Sequence, residues 1–250
     1  MKQIDVLTLF PHIFESFLQD IPVSRMESKG IGRINVVNIR SFADDKHQIT
    51  DDVPYGGGGG MVLKALPIFE AIEAVGLRGG QSEVILMSPQ GRVLDQARAV
   101  DLAHKDQLIF ICGRYEGIDE RVKALATSEL SIGDYVLTNG ELPSMVAINA
   151  IIRLYPGVVG RQESVYNDSF YDEGILDYPQ YTRPPSYRDL KVPEVLLSGN
   201  HEEIRKWRRK QSLRLTVERR PELLERATLS SEDKLLLKEI DLERGKREQT

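Results

Sequence analysis

The residues best suited to chemistry in this 250-residue chain lie in three loops: SPQG at 88–91, CGRYEGIDER at 112–121 and SIGDYVLTNGELP at 131–143. Each stands at the carboxyl end of a predicted strand, where open α/β sheets place their ligands. Glycines there let main-chain N–H and C=O groups touch a ligand, while Tyr and Leu supply flat apolar walls. Recognition dominated by backbone suits an adenine or a nucleoside better than a phosphate. Any one of these loops alone can be read as a tight turn; the three together point to a binding site.

Other chemistries lack their residues. VPYGGGGGMVLK (53–64) has no Lys-Ser/Thr after its last glycine, so it is not a Walker A loop, and IDVLTLFPH is followed by no glycine fingerprint. No G-x-S-x-G elbow is present. His12, His47, His104 and His201 are scattered without ligand spacing, and His104 reads as a structural helix residue. Cys112 closes an apolar run and reads as core.

The elements that must position these loops alternate. Strands are predicted at 4–10, 33–40, 83–88 and 107–112, and helices up to about Ser28 and at 61–76, 91–105 and 140–155. Short continuous apolar strands separated by helices predict a parallel sheet covered on both faces. From Gly157 the pattern breaks into a polar stretch and then the Pro- and Tyr-rich YPQYTRPPSY. Helices follow at roughly 200–218, 221–227 and 231–246, with Asn200 and Glu203 fitting an N-cap. The expected fold is α/β, with a small all-α domain behind it. The expected division is an α/β domain at 1–160, a linker at 161–175 and a helical domain at 176–250.

Composition adds limits. Hydrophobic residues make up 41% and charged residues 28%, which excludes a mostly disordered chain. The net charge is −5, so any nucleic-acid surface must be local. That surface is expected in RKWRRKQSLR (205–214), where Arg205, Lys206, Arg209, Lys210 and Arg214 share a helix side without an acid between them. A solvated helix face is the competing reading. No apolar run approaches the ~18 residues of a membrane span. MKQIDVLTLF carries Asp5 and no cleavage pattern, so a cytoplasmic protein is expected.

PYGGGGGMV, SPQG, CGRYEGIDER, SIGDYVLTNGELP, NDSF, YPQYTRP and LLSGNHEEIRKWR occur in this order. Together they resemble the bacterial tRNA (guanine-N1)-methyltransferases of the TrmD type, a SPOUT-class family, over essentially the whole chain. The family commonly has Pro or Ala where this chain has Gly59, and Thr-Gly-Gly where it has Thr138, Asn139 and Gly140. Asn tolerates φ > 0 better than most residues, which would keep the second turn.

The resemblance implies a trefoil knot formed by the three loops, a homodimer with its active site at the subunit interface, and S-adenosylmethionine held in the knot. It implies cofactor contacts from Met87, Ser88 and Pro89, from Gly113, Tyr115, Glu116 and Gly117, from Ser131, Ile132, Gly133, Asp134, Tyr135, Val136 and Leu137, and from Asn139, Gly140 and Pro143. A Cβ at Gly113 or Gly140 is then expected to enter the adenosine slot. Mg²⁺ also comes with the resemblance, with Glu116 as candidate ligand, although a lone carboxylate does not make a metal site. The substrate would be tRNA, methylated at N1 of guanosine 37 beside the anticodon. His47, Gly58, Gly59, Arg183, Arg205, Lys206, Arg209 and Lys210 are the implied tRNA contacts.

Guanine N1 carries a proton at neutral pH, so the site needs a base for it and a cation for charge developing on O6. An ordinary Asp, with a pKa of ~3.9, is a poor base unless burial raises it or a cation at O6 acidifies N1. By the resemblance, Asp168 is the base, supplied by the other subunit, and Arg153 is the O6 partner. The residues alone leave Asp168 open as an ordinary loop acid. An RNA-binding module without catalysis, or a phosphotransferase, would be the rival functions.

Overall fold

The computed structural model describes residues 1–160, 168–171 and 174–247. The chain divides into two compact units, Met1–Gln162 and Glu163–Thr250. The linker expected at 161–175 lies mostly outside the described residues.

The first unit is built on five parallel strands: β1 (Lys2–Thr8), β2 (Gly32–Asn38), β5 (Ser82–Val93), β6 (Gln107–Ile111) and β7 (Ser128–Ser131). Their spatial order is β2-β1-β6-β5-β7. The minor strands β3 (Asp51–Asp52) and β4 (Val62–Leu63) pair antiparallel at either side of the glycine run. Helices α1 (Glu15–Leu18), α2 (Ile21–Ser28), α3 (Ala65–Val75), α4 (Gln96–His104) and α5 (Glu141–Ile152) complete the unit.

Both faces of the sheet are covered, as its apolar strands require. Leu108, Phe110 and Cys112 face the layer of α2, α4 and α5, packing with Met26, Leu102, Ile148 and Ile151. The alternate residues Ile109 and Ile111 face α3, packing with Ile68 and Ile72. Parallel pairing carries the C-terminal ends of β5, β6 and β7 to one edge, which brings the three loops together.

The expected all-α domain also carries a small β-hairpin, and its helix at 221–227 is a 3-10 turn over Pro221–Glu225. In the first unit the predicted elements need two corrections. The helix read at 91–105 starts only at Gln96, because β5 continues through Val93; Met87 and Arg92 both pair with Leu130 across a bulge. Gly91 permits this, since a Cβ there would stand 2.4 Å from the Glu129 carbonyl carbon. Strand β7, implied by the loop at 131–143 but given no range among the predicted strands, has four residues, of which Leu130 is the one large apolar side chain.

In the second unit, a small hairpin of β8 (Ser186–Tyr187) and β9 (Leu190–Lys191) precedes α6 (His201–Arg219) and α7 (Ser231–Arg247). Asn200 caps α6, its Oδ1 accepting from the Glu203 N–H at 3.3 Å. Leu213, Leu236, Ile240 and Ile175 form the core. The side-chain pairs Arg205–Glu232, Lys210–Glu239 and Arg214–Glu243 advance together along both helices, so α6 and α7 run side by side in the same direction. No helix among the described residues is long and apolar enough to cross a membrane.

Candidate active site

The loop after β6 is fixed at both ends by backbone. The Cys112 N–H donates to the Leu7 carbonyl at 3.0 Å. Tyr115 takes a positive φ of 63° and Gly117 one of 139°, which turn the loop back on itself. There it meets the glycine run: the Glu116 N–H donates to the Met61 carbonyl at 3.1 Å, and the Leu63 N–H to the Gly117 carbonyl at 3.0 Å. Gly60 has φ +84°, and the Glu116 side chain occupies the space its Cβ would need.

The segment after β7 then returns to the same place. The Gly140 N–H donates to the Gly113 carbonyl at 2.8 Å, and Arg114 and Asn139 form an isolated antiparallel bridge. Because β5 lies between β7 and β6, residues 132–139 must cross the end of β5 to get there. A Cβ at Gly140 would stand 2.7 Å from the Gly113 nitrogen and 2.8 Å from Cys112 Cα. This corrects the expectation for Gly140: its missing side chain lets two backbones touch, and the volume it spares is not ligand space. A Cβ at Gly113 would be in ordinary contact with the Ile118 side chain at 3.4 Å and the Met87 carbonyl oxygen at 4.0 Å. Positive φ falls on Tyr115 and not on Asn139, so Asn139 needs no glycine-like freedom.

The crossing encloses a cavity of about 370 Å³ among the three loops. Of the predicted cofactor residues, Asp134 alone does not line it. Gln90, Arg114, Lys123 and Thr138 line it too and were not singled out from the sequence. Arg114 was legible within its motif; its guanidinium lies over the Phe10 ring, 4.2 Å from the centroid. Lys123 lies outside any motif; it pairs with Glu120 at 3.1 Å and with Glu129 at 3.5 Å, and donates to Gln90 Oε1 at 3.1 Å.

Beneath the crossing, Cys112 is buried and its thiol is pushed well above the usual range by desolvation, as for a core residue. His104 bonds its own helix, Nδ1 lying 2.8 Å from the Val100 carbonyl. Glu141, 1% exposed, accepts from the Thr8 hydroxyl at 2.5 Å in the first turn of α5.

Comparison with known proteins decides the family. Residues 1–226 match the family described as tRNA (Guanine-1)-methyltransferase TrmD. The tRNA (guanine-N(1)-)-methyltransferase of Moorella thermoacetica is 55% identical over 249 residues, covering 98% of this chain and 99% of the relative. Proteins of the same description from Dictyoglomus turgidum and Bacillus licheniformis are each 51% identical, over 97% and 95% of this chain and 98% of each relative. The chain belongs to the TrmD family. It is therefore a member of a methyltransferase family.

The remaining expected residues of this TrmD-family chain are dispersed. Arg153 is the C-cap of α5, ten residues beyond Pro143, or about 15 Å along the helix axis, and lines a separate cavity with Gln96, Val146 and Asn149. Asp168 belongs to the second unit, where it lines a cavity with His201, Arg205 and Arg208. Glu116 is exposed, and no group of three His, Cys, Asp or Glu among the described residues could hold a metal ion. His47, Gly58 and Gly59 are exposed in the first unit, and the Asp45 carboxylate, held below its usual range by the Ile49 N–H, also accepts from the His47 N–H.

The basic side of α6 is altered by its neighbour. Its own sequence lacks acids over 205–214, but α7 supplies them. Arg205 pairs with Glu232 at 3.0 Å, Arg209 with the buried Asp233 at 2.5 Å, and Lys210 with Glu239 at 2.7 Å and Glu243 at 2.9 Å. Lys206 is exposed and makes no direct ion pair among the described residues.

Proposed function

We propose that this chain transfers a methyl group from S-adenosylmethionine to N1 of guanosine 37 in tRNA, acting as a knotted homodimer in the cytoplasm. The observation that carries this is the cavity at the loop crossing, together with the TrmD-family match along the chain. Its size and lining fit the cofactor: exposed loop backbone, the rings of Tyr115 and Tyr135, and apolar Ile132, Val136 and Leu137. The segments 88–91, 112–117 and 131–140 would form the knot and hold the adenosine and methionine parts.

Bound there, S-adenosylmethionine supplies an electrophilic methyl group. The chain must then prepare the nucleophile. Asp168 would take the N1 proton of guanine, and Arg153 would stabilise negative charge on O6, making that proton easier to remove. The donors around Glu116 do not make a metal set, so no step is assigned to Mg²⁺.

Asp168 would come from the partner subunit. A second copy is supported by the outer face of α5. This helix is apolar on nearly every side, yet Leu142 and Val146 are each 50% exposed, and Val136 beside the cavity is 85% exposed. Helices apolar all round are normally covered.

Of the expected tRNA contacts, Lys206 and Arg183 carry the reading best, with His47, Gly58 and Gly59 on the other unit. Arg205, Arg209 and Lys210 would have to share their charge with α7. The test is methylation of an unmodified tRNA transcript and of the same transcript with adenosine at position 37. Methylation of the first alone is expected; equal methylation of both would exclude position 37.

A further inference from the structure

The second unit contains two cavities that share a wall. One, of about 360 Å³, is lined by Asp168, Asp177 and His201; the other, of about 530 Å³, by Tyr181, Arg183 and Leu196. Tyr178, Ile204 and Arg208 line both. The two cavities therefore adjoin along α6, Asp168 lining one and Arg183 the other, and together form one candidate groove.

Its chemistry differs from that of the neighbouring basic side. Arg205, Arg209, Lys210 and Arg214 are committed to acids of α7. Arg183 and Arg208 make no ion pair among the described residues. The Arg208 guanidinium lies 4.9 Å from the centroid of the Tyr178 ring, which holds it in place while leaving its charge unneutralised. Tyr181 is 48% exposed and is backed by Trp207, with ring centroids 6.3 Å apart. A supported, half-open aromatic ring beside unneutralised guanidinium groups is the combination that holds single-stranded nucleic acid: bases stack on the ring and phosphates meet the cations.

We propose that this groove takes the unpaired nucleotide next to the target guanosine, its base stacked on Tyr181 and its phosphate held by Arg183 and Arg208. The proposal rests on the reading of Asp168 as the base that meets guanine N1. It predicts that RNA affinity resides in Tyr181 and Arg208 more than in the α6 cations paired with α7.

The test uses the full-length protein and an unmodified tRNA transcript carrying 2-aminopurine beside the target guanosine. Binding is followed by fluorescence and methylation is measured separately. Tyr181→Leu should weaken binding about 5- to 150-fold, the loss of one base–aromatic stack, and abolish the quenching seen with wild type. Tyr181→Phe should keep both. Arg208→Gln should weaken binding and lower the log–log salt slope by up to about 0.7, the value for one phosphate contact on a single strand. S-adenosylmethionine affinity should be unaltered in all three. Wild-type affinity and quenching in Tyr181→Leu and Arg208→Gln would overturn the groove, even with methylation intact. Weakened binding in those variants would support it even if wild type methylated a different nucleoside, the result that would instead defeat the proposed function. If Tyr181→Leu does not fold, Arg208→Gln at its exposed position decides the question alone.

Discussion

Gly140 and Gly113 meet backbone to backbone: the N–H of Gly140 donates to the Gly113 carbonyl at 2.8 Å, with no room for a side chain between the loops. This contact closes the cavity, since it pins the segment after β7 to the loop after β6. The two glycines are therefore not equivalent.

Gly140→Val should destabilise the first unit by about 1–3 kcal/mol or more, the usual cost of forcing atoms into a packed site, and should also lose S-adenosylmethionine binding. Gly113→Ala should fold normally, because its Cβ would be in ordinary contact with Ile118 at 3.4 Å. Thermal unfolding and cofactor titration of both variants check this. Equal stability of the two would mean that the crossing does not depend on Gly140.

Lys206 and Lys210 lie one helical turn apart but face different surroundings. Lys206→Glu should weaken tRNA binding and flatten its salt dependence, with the melting temperature kept. Lys210→Glu should instead lower the melting temperature, because it would set a third carboxylate against Glu239 and Glu243. Binding isotherms at several salt concentrations, with thermal melts, separate the two effects.

The loops were legible in the sequence because glycine and small polar residues recur in all three, two of them directly after continuous apolar strands. The sheet was legible because its strands are continuous apolar runs. Strand β7 was not, because its four residues are mostly polar and pair only through the bulged end of β5. The neutralised side of α6 was not legible either. Its partners lie 24 to 33 residues away on another helix, beyond any local pattern. Gly140 is expected from the sequence as a cofactor contact, whereas its missing side chain serves a backbone contact that only the crossing reveals. Asp168 and Arg153 stood out through family resemblance alone; as residues they are a loop acid and a helix-end cation.

Asp233 gives the second unit a pH dependence. Burial pushes its carboxyl up, but hydrogen bonds from Arg209 and from the Ser230 hydroxyl and N–H bring it down to about 2, from the ordinary 3.8. A depressed carboxyl contributes its stability above the unfolded value of 3.8 and loses it as the pH falls through about 2. The contribution is about 2 kcal/mol. Asp233→Asn should remove about that amount at neutral pH and shrink the loss of stability between pH 4 and 2, as read by circular dichroism melts; the depressed carboxyls of Glu202, Glu222 and Glu239 leave the rest of the acid dependence in place.

Subunit sharing has its own test. Asp168→Asn and Arg153→Ala homodimers should each be nearly inactive. Mixed dimers of the two should regain activity, because one site then carries both substitutions and the other neither. Mixed dimers that form yet stay inactive would place Asp168 and Arg153 in the same chain's contribution to a site.

The most direct measurement is single-turnover transfer from methyl-labelled S-adenosylmethionine to unmodified tRNA, followed by nucleoside analysis, for wild type and Asp168→Asn. The account predicts label in 1-methylguanosine with wild type. It predicts a rate lower by about 10²–10⁴-fold in Asp168→Asn, the loss typical of a missing general base, with cofactor affinity retained. Label in any other nucleoside, or an unchanged rate in Asp168→Asn, would contradict it.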